Sequence, residues 1–188
     1  LNEQMKKRVE PIADELGADF TCEMDVTNES HFDILKKTVE ENWGKFDILV
    51  HSLAFAEREE LKKPFHQVSR NGYLNAIDIS SFSLVSLCNC LKDLINEEGS
   101  VMAMTYQGSV KVCPGYNVMG VSKAALESSM RYLAFELGEQ KVRVNCLSAG
   151  PIRTLASSAV KGVRDLYSVI EEGSPLRRNV DITDVGRS

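Results

Sequence analysis

The chain has 188 residues, 43% of them hydrophobic and 26% charged, with 22 Lys+Arg against 27 Asp+Glu and a formal net charge of −5. That composition describes a soluble globular chain able to bury a core without disulfides or metals, and its mild acidity excludes a dedicated nucleic-acid binder, which carries a basic excess. Continuous apolar runs such as Ile48-Leu49-Val50 end within a few residues, far short of the ~20 that a transmembrane helix needs, so no membrane span is expected.

Residues 2–16 read as an amphipathic helix, with Met5, Val9, Ile12, Ala13 and Leu16 on one face and Gly17 as its stop. The chain opens on Leu1 with neither an initiating Met nor a signal-peptide pattern, so it is expected to be incomplete at its front and not secreted. A short strand is predicted over residues 20–24. Thr27 or Asn28 then caps a helix that runs to Trp43 and closes on Gly44. Residues 46–50 form a strand apolar on both faces, as in a parallel sheet covered by helices, with Asp47, at its beginning, read as a turn residue. A long helix over 67–96, a strand over 101–105, a helix over 116–137 and a strand over 142–147 follow. Residues 151–178 are irregular and polar. Cys22, Cys88, Cys90, Cys113 and Cys146 form no C-x-x-C pair. Neither they nor His31, His51 and His66 have zinc-ligand spacing, so buried free thiols in a reducing cytoplasm, and no metal, are expected.

Strict alternation of strand and helix predicts an α/β fold, a doubly wound parallel sheet with helices on both faces in a single domain over residues 1–188. Sheets of this kind bind ligands beyond the carboxyl ends of their strands. Those ends are Asp25-Val26, His51-Ser52-Leu53-Ala54, Thr105-Tyr106 and Ser148-Ala149-Gly150-Pro151. No G-x-G-x-x-G loop follows a first strand. Either the fold does not bind a dinucleotide, or the first strand–turn–helix precedes the given sequence.

The chemistry-bearing stretch runs from Tyr106 to Lys123. Tyr116 and Lys123 are seven positions apart, two helical turns, and so share a face. A phenol beside an ammonium makes a proton donor with an electrostatic tuner, and the Lys charge is expected to pull the Tyr pKa down. The competing reading is a Tyr that caps the helix and a solvated Lys. His51, at the end of a strand, reads as a core or turn residue, and Met119, Met130, Leu133 and Leu137 as core or subunit interface. Asp78 receives no role.

Together with His51-Ser52-Leu53-Ala54-Phe55-Ala56 and Ser148-Ala149-Gly150-Pro151-Ile152-Arg153-Thr154-Leu155-Ala156, that stretch resembles the bacterial NAD(P)H-dependent enoyl-acyl-carrier-protein reductases, members of the short-chain dehydrogenase/reductase superfamily with a Rossmann-like fold. Three separated motifs agree in order and spacing along the whole chain. The resemblance implies NADH-dependent reduction of the trans-2 double bond of an enoyl-acyl carrier protein in type II fatty-acid synthesis. It makes Tyr116 the residue that stabilises the enolate oxygen, Tyr106 a second active-site tyrosine near the acyl chain, and Lys123 the partner of the nicotinamide ribose. Asp25 and Val26 match the pair beside the adenine, Leu53 a backbone contact under the adenosine ribose, and Ala56 a substrate-side backbone contact. Ile152, Arg153, Thr154, Leu155 and Ala156 match the run that grips the nicotinamide amide and diphosphate.

The first βαβ half, where NADH is told from NADPH, and the final strand expected after Asp184-Val185-Gly186 are absent from the given sequence, which is therefore expected to be part of a longer protein. Alternatives are a superfamily member acting on a ketone or alcohol and an inactive nucleotide-sensing relative. Ketone-reducing relatives carry their tyrosine four positions before the lysine, where this chain has Met119, and a serine where it has Tyr106. A homotetramer is expected because the helix over 116–137 is apolar or small on nearly every face. Residues 154–170 are expected to form a lid ordered by cofactor. The acidic acyl carrier protein is expected to dock on Lys161 and Arg164, extended by Arg177 and Arg178.

Overall fold

The computed structural model describes residues 3–152 and 163–188. Two helices lead the chain, α1 (Glu3–Leu16) and α2 (Glu29–Asn42). Asn28 caps α2 by accepting from the Ser30 amide at 3.1 Å, and Gly44, at φ +69°, folds the chain back so that its N–H reaches the Val39 carbonyl. Both helices match their predicted spans because these signals are local. The strand expected over residues 20–24 does not form. Its segment pairs with no described strand, and its start is held by side chains: Phe20 tilts against Trp43 at 4.8 Å, and the Trp43 indole donates to Asp19.

Three parallel strands make the sheet, β1 (Phe46–His51), β2 (Ile95–Thr105) and β3 (Arg143–Ser148), in the order β1-β2-β3. The α/β class and parallel pairing are as predicted. Two details differ. Asp47 lies within β1 rather than in a turn, and its carboxylate accepts from the Asn96 amide at 2.9 Å. β1 is also not covered on both faces: Ile48 is 65% and Val50 52% exposed, and among the described residues β1 is an outer strand paired only with β2. β2 begins six residues earlier than predicted. Phe46 pairs with Ile95 and Ile48 with Ser100, so β2 loops out residues 96–99 through a positive φ at Glu98.

The long helix expected over 67–96 forms as one helical run over Arg70–Leu94, in which a π-helical turn over Asp78–Phe82 separates α4 (Arg70–Ile77) from α5 (Ser83–Leu91). Before it stand a short helix, α3 (Arg58–Lys62), and a 3₁₀ turn over Phe65–Gln67. The run Arg70–Leu94 is nonetheless long and apolar enough, by length and composition, to cross a membrane, which a search for unbroken apolar runs overlooks. Its apolar side is spent on the sheet: Leu84, Leu87, Cys88 and Leu91 are buried with Val101, Ala103 and Val144. α6 (Asn117–Leu137) completes this core with the fully buried Leu126. Each such leucine contributes about 1.5–3 kcal/mol through burial. The irregular stretch predicted over 151–178 contains a helix, α7 (Val163–Gly173), and a short α8 (Ile182–Gly186) follows. All five cysteines are free, but only Cys88 is buried, the other four being half-buried.

Candidate active site

Parallel register brings the carboxyl ends of the three strands to one edge, with His51 opposite Ala103 and Thr105 opposite Ser148. Tyr106 leaves the end of β2 and opens a 3₁₀ turn over Gln107–Ser109. Tyr116 is the N-cap residue of α6, and Lys123 lies two turns into that helix. The two tyrosine rings meet edge to face with centroids 4.9 Å apart. Two glycines permit this approach. A Cβ on Gly108 would stand 2.5 Å from the Tyr116 ring, and one on Gly120 would stand 2.8 Å from the Gly108 carbonyl.

Burial governs the electrostatics. Lys123 is 5% exposed, and its Nζ donates to the Met104 carbonyl at 2.6 Å. Desolvation lowers its pKa to about 8, against the opposing influence of Cys146 and Glu127. The expected depression of the Tyr116 pKa is not found. Burial pushes that phenol above the usual tyrosine range, and Tyr106 and Cys113 add to the rise. Tyr106 is raised as well, by burial first. Tyr116 therefore keeps its proton at neutral pH and acts as a neutral donor. His51 is buried, as predicted. Ser83 spends its hydroxyl proton on the Ile79 carbonyl at 2.6 Å, so the 2.7 Å contact between His51 Nε2 and Ser83 Oγ needs an Nε2–H donor. His51 Nδ1 is left buried without a partner, and burial, helped by the Lys123 charge, holds the imidazole pKa near 4.

Several positioning residues had escaped sequence reasoning. Ser80, in the π-helical turn, accepts from the Phe55 amide at 2.9 Å and donates to the Phe55 carbonyl, with its oxygen 3.9 Å from Met119 Sδ. Ser80 thus ties the π-helical turn to the loop after β1. Glu60 is buried and accepts from Lys63, the Ser69 hydroxyl and the Ser69 amide. Asn117, at φ +42°, donates to the Glu60 and Lys63 carbonyls and so ties the residue after Tyr116 to α3. Glu127 accepts from the hydroxyls of Thr105 and Ser109. Of these, only Glu127 had a sequence signal, its place four residues after Lys123.

The remaining predicted residues are placed as follows. Asp25 is exposed, and its Oδ1 accepts from the Thr27 amide and hydroxyl, which lowers its pKa and keeps it anionic. Val26 and Ala56 are half-buried, Leu53 is 38% exposed in the loop after β1, and Ile152 is half-buried beyond β3. Arg153, Thr154, Leu155, Ala156 and Lys161 lie outside the described residues, as does the first part of the lid. Arg164 is placed only by its backbone in α7. Arg178 does not extend a free basic patch, because both of its terminal nitrogens bind Asp184. Arg177 donates to the Glu172 carbonyl. A cleft of about 1310 Å³ opens on the Tyr116 side, lined by Arg58, Leu61, Phe65, Val112, Cys113 and Val121 among others, whereas Tyr106 and Lys123 do not line it.

Comparison with known proteins places the chain in a family. Residues 1–188 match the family described as enoyl-(acyl carrier protein) reductase. The chain is 46% identical over 185 residues to an enoyl-(acyl-carrier-protein) reductase (NADH) from Nostoc sp., covering 98% of this chain and 72% of that protein. It is 45% identical to one from Rickettsia felis, covering 98% of this chain and 71% of that one. Among solved structures it superposes on the Aquifex aeolicus enoyl-(acyl-carrier-protein) reductase (NADH) with a TM-score of 0.93 at 41% identity, covering 99% of this chain and 73% of that one. The Anaplasma phagocytophilum reductase in complex with NAD gives 0.91 at 40% identity, covering 100% of this chain and 69% of that one.

Proposed function

The chain belongs to the enoyl-(acyl carrier protein) reductase family, and from that premise we propose that it reduces the trans-2 double bond of an enoyl-acyl carrier protein with NADH, in fatty-acid synthesis. The observation that carries the choice of reaction is the Tyr106–Tyr116 pair with Met119, not a tyrosine, four residues before Lys123. Met119 is buried and has no proton to give, so the donor is Tyr116, one turn further out. That reach suits a carbonyl oxygen two bonds away from the carbon that accepts hydride.

The residues present fit a nicotinamide dinucleotide by their donor chemistry. Lys123 spends one N–H on Met104 and keeps two for ribose hydroxyls, and the exposed Asp25 carboxylate offers an acceptor for an amine. Leu53 and the run Ile152 to Ala156 complete the proposed cofactor set, with Ala56 on the substrate side. When bound, NADH supplies the hydride that adds to the β-carbon of the enoyl thioester. Tyr116, kept protonated by burial, donates its Oη–H to the carbonyl oxygen as negative charge develops there. Lys123, charged below about pH 8, adds electrostatic stabilisation. Tyr106 buttresses the Tyr116 ring.

The test is turnover of crotonyl thioester followed by loss of NADH absorbance in the full-length enzyme. Tyr116→Phe is expected to lower kcat more than it raises KM, because the interaction matures with the developing charge. Full activity of that variant, or efficient reduction of a 3-ketoacyl thioester by the wild type, overturns the reading. An enzyme that binds NADH without turnover is instead a nucleotide sensor.

The same reading covers one catalytic domain over residues 1–188, a cytoplasmic location, and a homotetramer with two-fold axes. The exposed apolar side chains of Val112, Tyr132 and Phe135, at 95%, 70% and 83%, support the assembly. Acyl carrier protein is taken to dock on Lys161 and Arg164. Exchanging both for Glu is expected to lower activity on the carrier-protein substrate while sparing a crotonyl-coenzyme A substrate. Residues 154–170 are taken as the lid, and slower amide exchange there on adding NADH is the expected sign.

A further inference from the structure

We propose that Glu127 is a positioning residue that clamps the Tyr106 turn to α6 and supplies the counter-charge of Lys123; this rests on the reading of Tyr106, Tyr116 and Lys123 as the working set. Glu127 follows Lys123 by four positions, so both side chains leave the same face of α6. A single oxygen, Glu127 Oε1, accepts from Thr105 Oγ1 at 2.7 Å and from Ser109 Oγ at 2.6 Å. These two residues flank Tyr106, one at the end of β2 and one at the end of the 3₁₀ turn. Both ends of the segment that aims the Tyr106 ring are thus tied to one atom of a buried helix. The Lys123 Nζ bond to the Met104 carbonyl adds a third tie, one residue earlier. The close approach at Gly108 and Gly120 leaves the turn little room to shift.

The charge argument is independent of the clamp. Lys123 is buried, and the titratable groups that act on it electrostatically are His51 from β1, Cys146 from β3 and Glu127 from its own helix. Burial keeps the His51 imidazole neutral near pH 7 and pushes the Cys146 thiol up to about 11. Among these groups only Glu127 therefore carries negative charge in the working range. Its Oε1 accepts a short hydrogen bond from each of two hydroxyls although the side chain is half-buried. One carboxylate then does two things, and they separate chemically: the clamp needs an acceptor oxygen, the counter-charge needs the anion.

Glu127→Ala and Glu127→Gln in the full-length enzyme test both. In Glu127→Ala the amides of Ser109, Val110 and Lys111, which donate to the Tyr106 and Gln107 carbonyls, should exchange faster in the cofactor-free protein. Its kcat should fall on the order of 10²-fold, with a smaller change in KM, as expected for a misplaced side chain. Glu127→Gln retains an acceptor, so exchange should stay near wild type and neutral-pH kcat should largely return. Its fall in NADH affinity and in kcat/KM with rising pH should begin at lower pH, because Lys123 then gives up its proton more readily. Wild-type exchange and kcat in Glu127→Ala, or an unmoved pH profile in Glu127→Gln, overturns the inference. If Glu127→Ala does not fold, Ser109→Ala replaces it, and unchanged exchange of Val110 and Lys111 in that variant is equally fatal to the clamp. A wild type that does not reduce enoyl thioesters defeats the proposed function, while the exchange measurements still judge the clamp.

Discussion

The two halves of α6 meet different surroundings. From Val118 to Leu126 the helix is enclosed: Val118, Ser122 and Leu126 are fully buried, and Met119 and Lys123 nearly so. From Arg131 onward only Leu133 and Leu137 are buried, while Tyr132 and Phe135 stand 70% and 83% exposed. The first half touches the Tyr106 turn, α4 and the π-helical turn as well as the sheet. The second presents a single stripe to the core. The candidate cation Lys123 sits in the enclosed half, just after Tyr116, where removal of water strengthens its electrostatic interactions. The open half is free to meet another subunit.

Four experiments test that contrast. Leu126→Ala should cost about 2–5 kcal/mol in chemical denaturation, since no space is available for collapse around it; a cost below about 1 kcal/mol would mean that the first half is not enclosed. His51, beside that half, should make stability fall in acid. Its folded pKa lies near 4 and its unfolded value near 6.5, so the unfolded state binds protons first as pH drops. Stability contributed by the neutral ring is present above pH 6.5 and lost on the way to 4, by up to about 3 kcal/mol. His51→Asn should flatten that slope in a series of melts across the window.

Lys123→Met should abolish most activity yet raise stability by about 1–3 kcal/mol at neutral pH, because a charged group with a depressed pKa leaves the interior. The sign follows from the folded pKa of about 8 against 10.5 unfolded: the wild type gains stability as pH rises through that interval, so the advantage of the variant should shrink there. A less stable Lys123→Met at pH 7 would mean that the Met104 bond outweighs burial of the charge. In the open half, Tyr132→Ser with Phe135→Ser should leave the stability of the fold within about 0.5 kcal/mol. Sedimentation should nonetheless show a weakened assembly, and an intact tetramer would place the interface elsewhere.

Legibility followed the range of the interactions involved. Asn28 as a cap, Gly44 as a stop and the seven-residue spacing from Tyr116 to Lys123 act within a turn or two, and each was found where expected. The segment over residues 20–24 had strand-like alternation, but a strand exists only if another pairs with it. The π-helical turn at Asp78–Phe82 had no local signal, and its Ser80 bonds to Phe55, 25 residues away. The Tyr116 pKa was expected to fall because one charge was considered, and it rises because burial is the largest influence. Arg178 looked free in the sequence and is held by Asp184.

Periodicity and residue type in the amino-acid sequence were enough for the alternating α/β pattern, the parallel sheet and three candidate side chains, Tyr106, Tyr116 and Lys123. These depend on periodicity, capping and residue type, which operate over a few neighbouring positions. Only the tertiary structure decided which half of α6 is sealed, which protonation states Tyr116 and His51 hold, and that Glu127 joins Thr105 to Ser109. Those outcomes depend on desolvation and on hydrogen bonds between segments tens of residues apart, which no local pattern encodes.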